Sequence, residues 1–266
     1  MKNLLITSPA GYAQRFLNAY AELGCGVQCK PISVPMIQTD IYTDSEDFRT
    51  FIRDWETFDY VAFSSRKAIE AFAEFVVQHG LVIPFQLKCC AIGKDNELLE
   101  SALHVRPVFI SREPSPKGIV NELAEINDIV GRKIAVLAPQ VIGMEEPNVV
   151  PDFIQGLQDI GMDVARVTAY QTRAVSADIL KKTKERILQG ELSGIVFTSG
   201  TEIKVFLRMI PQDTSVDEFL QDITIICYGP YTAAYAKRLG IKVDYTSTSF
   251  GSFNDFVKKI EEFFQG

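Results

Sequence analysis

The chain repeats itself, and the repeat limits what it can fold into. Tyr60-Val-Ala-Phe-Ser-Ser-Arg-Lys-Ala-Ile69 returns as Gly194-Ile-Val-Phe-Thr-Ser-Gly-Thr-Glu-Ile203, each an apolar run that ends in hydroxyls. Downstream, Cys90-Ala-Ile-Gly93 with Asn96, Leu99 and Leu103 is matched by Ile226-Cys-Tyr-Gly229 with Thr232, Tyr235 and Leu239. The spacing is nearly constant, 134 residues from Phe63 to Phe197 and 136 from Gly93 to Gly229. A third pair opens each half: Lys2-Asn-Leu-Leu-Ile-Thr-Ser-Pro9 against Arg132-Lys-Ile-Ala-Val-Leu-Ala-Pro139. A duplicated α/β half predicts two similar lobes with a cleft between them.

Short apolar runs followed by turn residues and helical periodicity give strands near 3–7, 26–30, 59–63, 88–92, 106–110, 133–138, 194–198, 223–227 and 241–245. Helices are expected over 12–23, 45–54, 66–78, 95–103, 118–126, 150–160, 178–189, 200–209, 231–239 and 252–264. Two stretches interrupt the alternation: Pro31 to Gln38, with two prolines, and Val164 to Thr172, both read as extended crossings. If each crossing carries the chain between lobes, residues 1–34 and 172–266 form one lobe and 41–165 the other. Residues 35–40 and 166–171 are then the connector strands. Alternating strands and helices imply parallel sheets covered on both faces, with ligands at the carboxyl ends of the strands. That rule selects Ser64, Gly93, Thr198 and Gly229.

Composition narrows the chemistry. At 266 residues and 47% hydrophobic content the chain can bury two ordinary cores. Its net charge of −7 argues against nucleic acid. No apolar run approaches a membrane span, and the first residues lead straight into a strand, so the expectation is a soluble, cytoplasmic protein. Five cysteines are read as reduced and structural. With only His79 and His104 and no zinc-type spacing, no metal is expected.

Ser64-Ser65-Arg66 and Thr198-Ser199-Gly200 each follow a strand and open a helix, where free N–H groups, hydroxyls and the helix dipole make an anion site. Ordinary helix capping explains the same residues. Gly229-Pro230-Tyr231-Thr232 joins close backbone approach, a proline suited to the first turn and a hydroxyl at a helix mouth. Its counterpart Gly93-Lys94-Asp95-Asn96 keeps only the glycine. The segment Gly24 to Cys29 imitates a dinucleotide fingerprint but follows a helix and precedes a strand, the reverse of the required order, and is read as a helix C-cap. His79 and His104 are read as helix-terminal residues.

Phe197-Thr-Ser199, Tyr228-Gly-Pro-Tyr-Thr232, the following Gly240-Ile-Lys-Val, Val167-Thr-Ala-Tyr170, and the weaker Phe63-Ser-Ser65 and Ala91-Ile-Gly93 occur in one order. In these residues the chain resembles the uroporphyrinogen-III synthase family over nearly its full length. The resemblance implies an α/β fold of two flavodoxin-like lobes joined by a two-stranded connector. It further implies a cofactor-free, monomeric enzyme that cyclises hydroxymethylbilane, a linear tetrapyrrole, to uroporphyrinogen III with inversion of the last ring. It makes Tyr170 the cleft tyrosine that assists loss of the substrate hydroxyl. Ser65, Ser199 and Thr232 become substrate contacts, with Ser64, Arg66, Gly93, Thr198, Gly200 and Tyr231 beside them. Ser8 and Asn96 depart from the family's usual arginine and threonine. Transient contact with the preceding pathway enzyme is a further expectation. The competing class is a non-catalytic two-lobe protein that binds small anions or tetrapyrroles. A nucleotide-using transferase lacks a phosphate fingerprint after any strand.

Overall fold

A computed structural model describes residues 1–24, 28–248 and 252–265. Ten strands and eleven helices are assigned among them: β1 (Lys2–Ile6), α1 (Ala10–Glu22), β2 (Cys29–Ser33), β3 (Ile37–Ile41), α2 (Glu46–Asp54), β4 (Tyr60–Phe63), α3 (Arg66–Gln78), β5 (Lys88–Cys90), α4 (Asn96–Leu103), α5 (Pro116–Ala124), β6 (Lys133–Ile142), α6 (Val149–Asp159), β7 (Asp163–Ala174), α7 (Ala177–Leu188), β8 (Gly194–Phe197), α8 (Gly200–Leu207), α9 (Val216–Leu220), β9 (Thr224–Cys227), α10 (Pro230–Arg238), β10 (Tyr245–Thr246) and α11 (Phe253–Gln265). The chain divides into two compact units, Met1–Gln38 with Arg173–Gly266, and Thr39–Thr172. Strands β3 and β7 each run across a unit boundary.

The first unit holds a five-stranded sheet in the order β10-β9-β8-β1-β2. Every registered pair in it is parallel. Alternation along the strands separates its two faces. Leu4, Ile6 and Val196 pack with Phe16 of α1 and Phe256 of α11, whereas Phe197 meets Phe206 of α8 edge-on at 5.2 Å between ring centroids.

The second sheet has the order β3-β7-β6-β4-β5, with β4 parallel to both β5 and β6. Val61, Phe63, Ala135 and Leu137 enter a core built on Phe48, Phe51 and Phe72, while Tyr60, Ala62, Ile134 and Val136 enter another built on Ile119, Phe153 and Leu157. Both faces are therefore dry. This is why Tyr60 to Phe63 reads as an unbroken apolar run and not as an alternating one. Phe72 is the hub of the first core, with the rings of Phe63, Phe51 and Trp55 at 5.6, 6.2 and 6.3 Å.

Three expectations need correction. The strand expected over 241–245 forms only at Tyr245–Thr246. No strand forms over 106–110: a single bridge joins Pro107 to Cys89, and Ile110 stands 75% exposed. The Val108 N–H closes that bridge on the Cys89 carbonyl at 3.0 Å, and β5 itself is only three residues long, so pairing ends there. Helix α5 begins at Pro116, two residues before the expected start, because the Ser115 hydroxyl caps the Gly118 N–H at 3.0 Å and proline fits the first helical position. Within the segment from Gly24 to Cys29, residues 25–27 lie outside the described residues, and with them Cys25. No helix of the described residues is long and apolar enough to cross a membrane.

Candidate functional site

In the second unit the strand order reverses direction between β4 and β6, the position at which open parallel sheets present their ligands. Ser64 and Ser65 stand there, at the carboxyl end of β4. Ser64 binds β6 through both its N–H (3.1 Å) and its hydroxyl (2.9 Å) to the Leu137 carbonyl. Ser65 caps α3, accepting from the Ala68 N–H at 3.3 Å. Its hydroxyl lies 2.8 Å from that of Tyr170, which reaches in from β7. Tyr170 is buried, and burial pushes its phenol up to about 12 against the smaller opposing pull of the two serine hydroxyls. The group keeps its proton throughout the neutral range.

Arg66 and Lys67 are cations at the start of α3, and both reach Glu70. Arg66 faces Glu70 at 3.4 Å and Asp95 at 3.5 Å, both long for an ion pair, so its guanidinium is loosely held. Gly93 has φ +50, and a methyl group built there would lie 2.7 Å from Pro114 Cβ. Its carbonyl accepts from Asn96 Nδ2 at 2.9 Å, while the buried Asn96 Oδ1 has no partner. His79 and His104 both terminate helices, His104 at φ +55.

In the first unit the equivalent reversal falls between β1 and β8. Thr198 and Ser199 occupy the end of β8 and the cap of α8. Gly200 is needed beside them, because a Cβ there would meet the Tyr235 ring at 2.9 Å. Thr232, on the first turn of α10, donates to the Thr198 carbonyl at 3.1 Å, and Tyr231 beside it is 52% exposed.

One residue that sequence reasoning passed over organises this end of the sheet. Glu202, only 1% exposed, accepts from the Thr198 N–H (2.8 Å), Thr198 Oγ1 (2.6 Å) and Ser199 Oγ (2.9 Å), and its Oε2 lies 2.7 Å from Thr7 Oγ1. Burial raises its pKa, against the opposing effect of those donors. The signal was present as Ser199-Gly-Thr-Glu202, the spacing of a capping box, in which a helix-start glutamate turns back on its cap. Next to Thr7, two residues past the end of β1, the buried Ser8 hydroxyl has no partner. Among the described residues, no group of three His, Cys, Asp or Glu side chains is arranged to hold a metal ion.

Fold and site together define an α/β protein of parallel sheets whose polar side chains gather at strand ends and helix starts. The family described as uroporphyrinogen-III synthase HemD matches residues 18–252. A porphyrin biosynthesis protein HemD of Ruminiclostridium josui is 21% identical over 97% of this chain, which spans 48% of that protein's length. A uroporphyrinogen-III synthase of Chlorobaculum parvum is 24% identical over 98% of this chain and 99% of its own. Among solved structures, a mutant uroporphyrinogen III synthase of Thermus thermophilus superposes with a TM-score of 0.66 at 14% identity, over 98% of this chain and 99% of the other. The chain belongs to the uroporphyrinogen-III synthase family.

Proposed function

We propose that this protein converts hydroxymethylbilane to uroporphyrinogen III, closing the ring with the terminal pyrrole inverted and releasing water. The observation that carries the reading is the buried, protonated Tyr170 hydroxyl placed 2.8 Å from Ser65 at a strand end, in a chain of this family. The substrate is already activated: departure of its hydroxyl leaves a stabilised azafulvenium cation. Tyr170 then acts as a hydrogen-bond donor to the departing oxygen. The hydroxide lost at this step and the proton lost from the carbon that closes the ring together make up the water. Selecting the substituted carbon for first attack, through a spiro intermediate, is a task of orientation. N–H groups at helix mouths receive the substrate's carboxylates, which suits a polyanionic ligand to an acidic protein.

The same reading takes both units as flavodoxin-like lobes, 1–34 with 172–266 and 41–165, linked through 35–40 and 166–171. The order β10-β9-β8-β1-β2 supports it, since counted from β1 within the unit it is the 2-1-3-4-5 order of that fold. It also makes the protein a cytosolic monomer that needs no cofactor. Incubation with freshly made hydroxymethylbilane, with and without chelator, followed by oxidation and separation of the isomers, tests the activity. Type III product in both arms is expected. Type I alone, at the spontaneous rate, refutes it.

A further inference from the structure

The hydroxyls at the α8 mouth each have one proton to give, and the structure shows where it goes. Thr198 Oγ1 and Ser199 Oγ both donate to Glu202 Oε1, at 2.6 and 2.9 Å. A hydroxyl whose proton is used internally turns only lone pairs outward. Thr198 and Ser199 are both partly exposed; Ser199 Oγ spends one lone pair on the Glu202 N–H at 3.4 Å, and the other, with those of Thr198 Oγ1, is left for a ligand. On the other side of the carboxyl group, Thr7 Oγ1 lies 2.7 Å from Oε2 and 2.8 Å from the Val196 carbonyl. One Thr7 proton cannot serve both. The network closes when Oε2 carries a proton and donates it to Thr7, which donates in turn to Val196. Ionised or neutral, Oε1 stays an acceptor, and the two hydroxyl protons stay directed inward.

We infer that Glu202 is a positioning residue that sets the hydrogen-bond polarity of this mouth, so that Thr198 and Ser199 accept from ligand N–H groups. Ligand carboxylates are left to the N–H groups of Gly200 and Thr201, for which the helix itself supplies no acceptor. The inference rests on the proposed tetrapyrrole activity and adds what this part of the site reads: a pyrrole N–H at the hydroxyls, a carboxylate at the backbone. A ligand with carboxylates alone would find two of the mouth's polar groups facing it with the wrong polarity.

Glu202→Gln reverses that polarity while keeping the shape. The new NH2 cannot take the Oε2 position, because the Thr198 N–H already points there at 2.8 Å. It must take the Oε1 position, and both hydroxyls must then rotate to accept from it, turning their protons outward. The measurements are KM and kcat for hydroxymethylbilane and calorimetric titration with uroporphyrinogen III kept reduced. They are made on the parent, on Glu202→Gln, on Thr198→Val with Ser199→Gly, and on the triple variant. Glycine is used at the cap because it is tolerated there far better than alanine. Glu202→Gln should raise KM and weaken product binding about tenfold, with kcat within about threefold, since donors then face donors. The added effect should vanish in the background without the hydroxyls. Tighter or unchanged binding by Glu202→Gln overturns the inference, as does an equal loss in that background. If Glu202→Gln does not fold, Thr198→Val alone decides: loss of the acceptor should weaken binding severalfold, and unchanged affinity overturns it. Failure of the parent itself to bind the tetrapyrrole or form the type III isomer would instead remove the proposed activity, and this inference with it.

Discussion

Replacing Tyr170 with phenylalanine removes one oxygen from a buried site and asks what that oxygen does. In the folded protein it loses a 2.8 Å contact with Ser65, which keeps its 3.3 Å bond from the Ala68 N–H. The stability cost at neutral pH should therefore be that of one ordinary hydrogen bond, about 0.5–1.5 kcal/mol. The alkaline limb should respond more. Burial holds the phenol at about 12, above its ordinary value of 10, so the folded state keeps the proton longer than the unfolded chain. That contribution is complete below pH 10 and is lost as the pH rises to about 12; two units correspond to roughly 1–3 kcal/mol. Parent protein should thus lose stability over this window faster than Tyr170→Phe. For catalysis, a donor bond to an oxygen leaving with negative charge is worth about 1.5–3 kcal/mol, or roughly ten- to a hundredfold in turnover. Spontaneous closure to the type I isomer provides an internal clock, so the III-to-I ratio at fixed enzyme reports the loss directly. Ser65→Ala, Ser199→Ala and Thr232→Ala should each act mainly on KM. Unchanged turnover in Tyr170→Phe, with the fold verified, would leave positioning as the whole mechanism and remove the tyrosine's role.

Gly93→Ala should destabilise by about 2–3 kcal/mol, because a side chain at φ +50 is strained and its Cβ would lie 2.7 Å from Pro114 Cβ. Gly80→Ala, with φ +59 and open space around the added carbon, should cost only about 1 kcal/mol in the same denaturant titration; equal losses would exclude the Pro114 contact as a cause. Asp47 fastens α2 to β7 by accepting from the Thr168 N–H at 2.7 Å and the Phe48 N–H at 3.0 Å. Burial raises its pKa, but the combined hydrogen bonds from Ser45, Thr168 and Phe48 prevail and lower it. Its stabilisation is present above the ordinary value near 4 and lost as the pH falls through the lower folded value. Asp47→Asn should accordingly cost about 1–2 kcal/mol at pH 7, with the gap to the parent narrowing below pH 4 in urea titrations. Cys29, Cys89, Cys90 and Cys227 are all buried, and burial raises each thiol, Cys29 to about 11 and Cys89 to about 12. These four should resist a thiol-exchange reagent at pH 8 until denaturant is added; fast labelling of any of them in the folded protein would contradict their placement.

What the sequence showed of this fold and site depended on how local each signal was. The run Tyr60 to Phe63 and the cap at Ser65 are legible because burial on both faces and a hydroxyl before a helix leave marks within ten residues. The same holds for Gly194 to Ser199. Ile110 and Val108 looked like strand residues on composition, but pairing depends on the neighbour: the Val108 N–H reaches the Cys89 carbonyl, and β5 is too short to continue the ladder to Ile110. Glu202 was hidden for a different reason. Its spacing from Ser199 is local, yet its burial comes from Thr7, which lies 195 residues away in sequence and beside it only once β1 and β8 pair. The approach of Tyr170 to Ser65 is likewise 105 residues distant and follows from the order β7-β6-β4, which a single sequence does not state.

The split composition of the first unit imposes an order of events on synthesis. Strand β1 leaves the ribosome about 190 residues before its partner β8, as the 189-residue separation of Thr7 from Val196 records. At roughly 5–20 residues per second, β1 waits about 10–40 s with one edge unpaired. Residues 39–172 are contiguous and can complete their own sheet meanwhile. Strand β1 is thus made before the 39–172 unit yet enclosed after it, and the growing chain must shelter an open edge while that unit is synthesised.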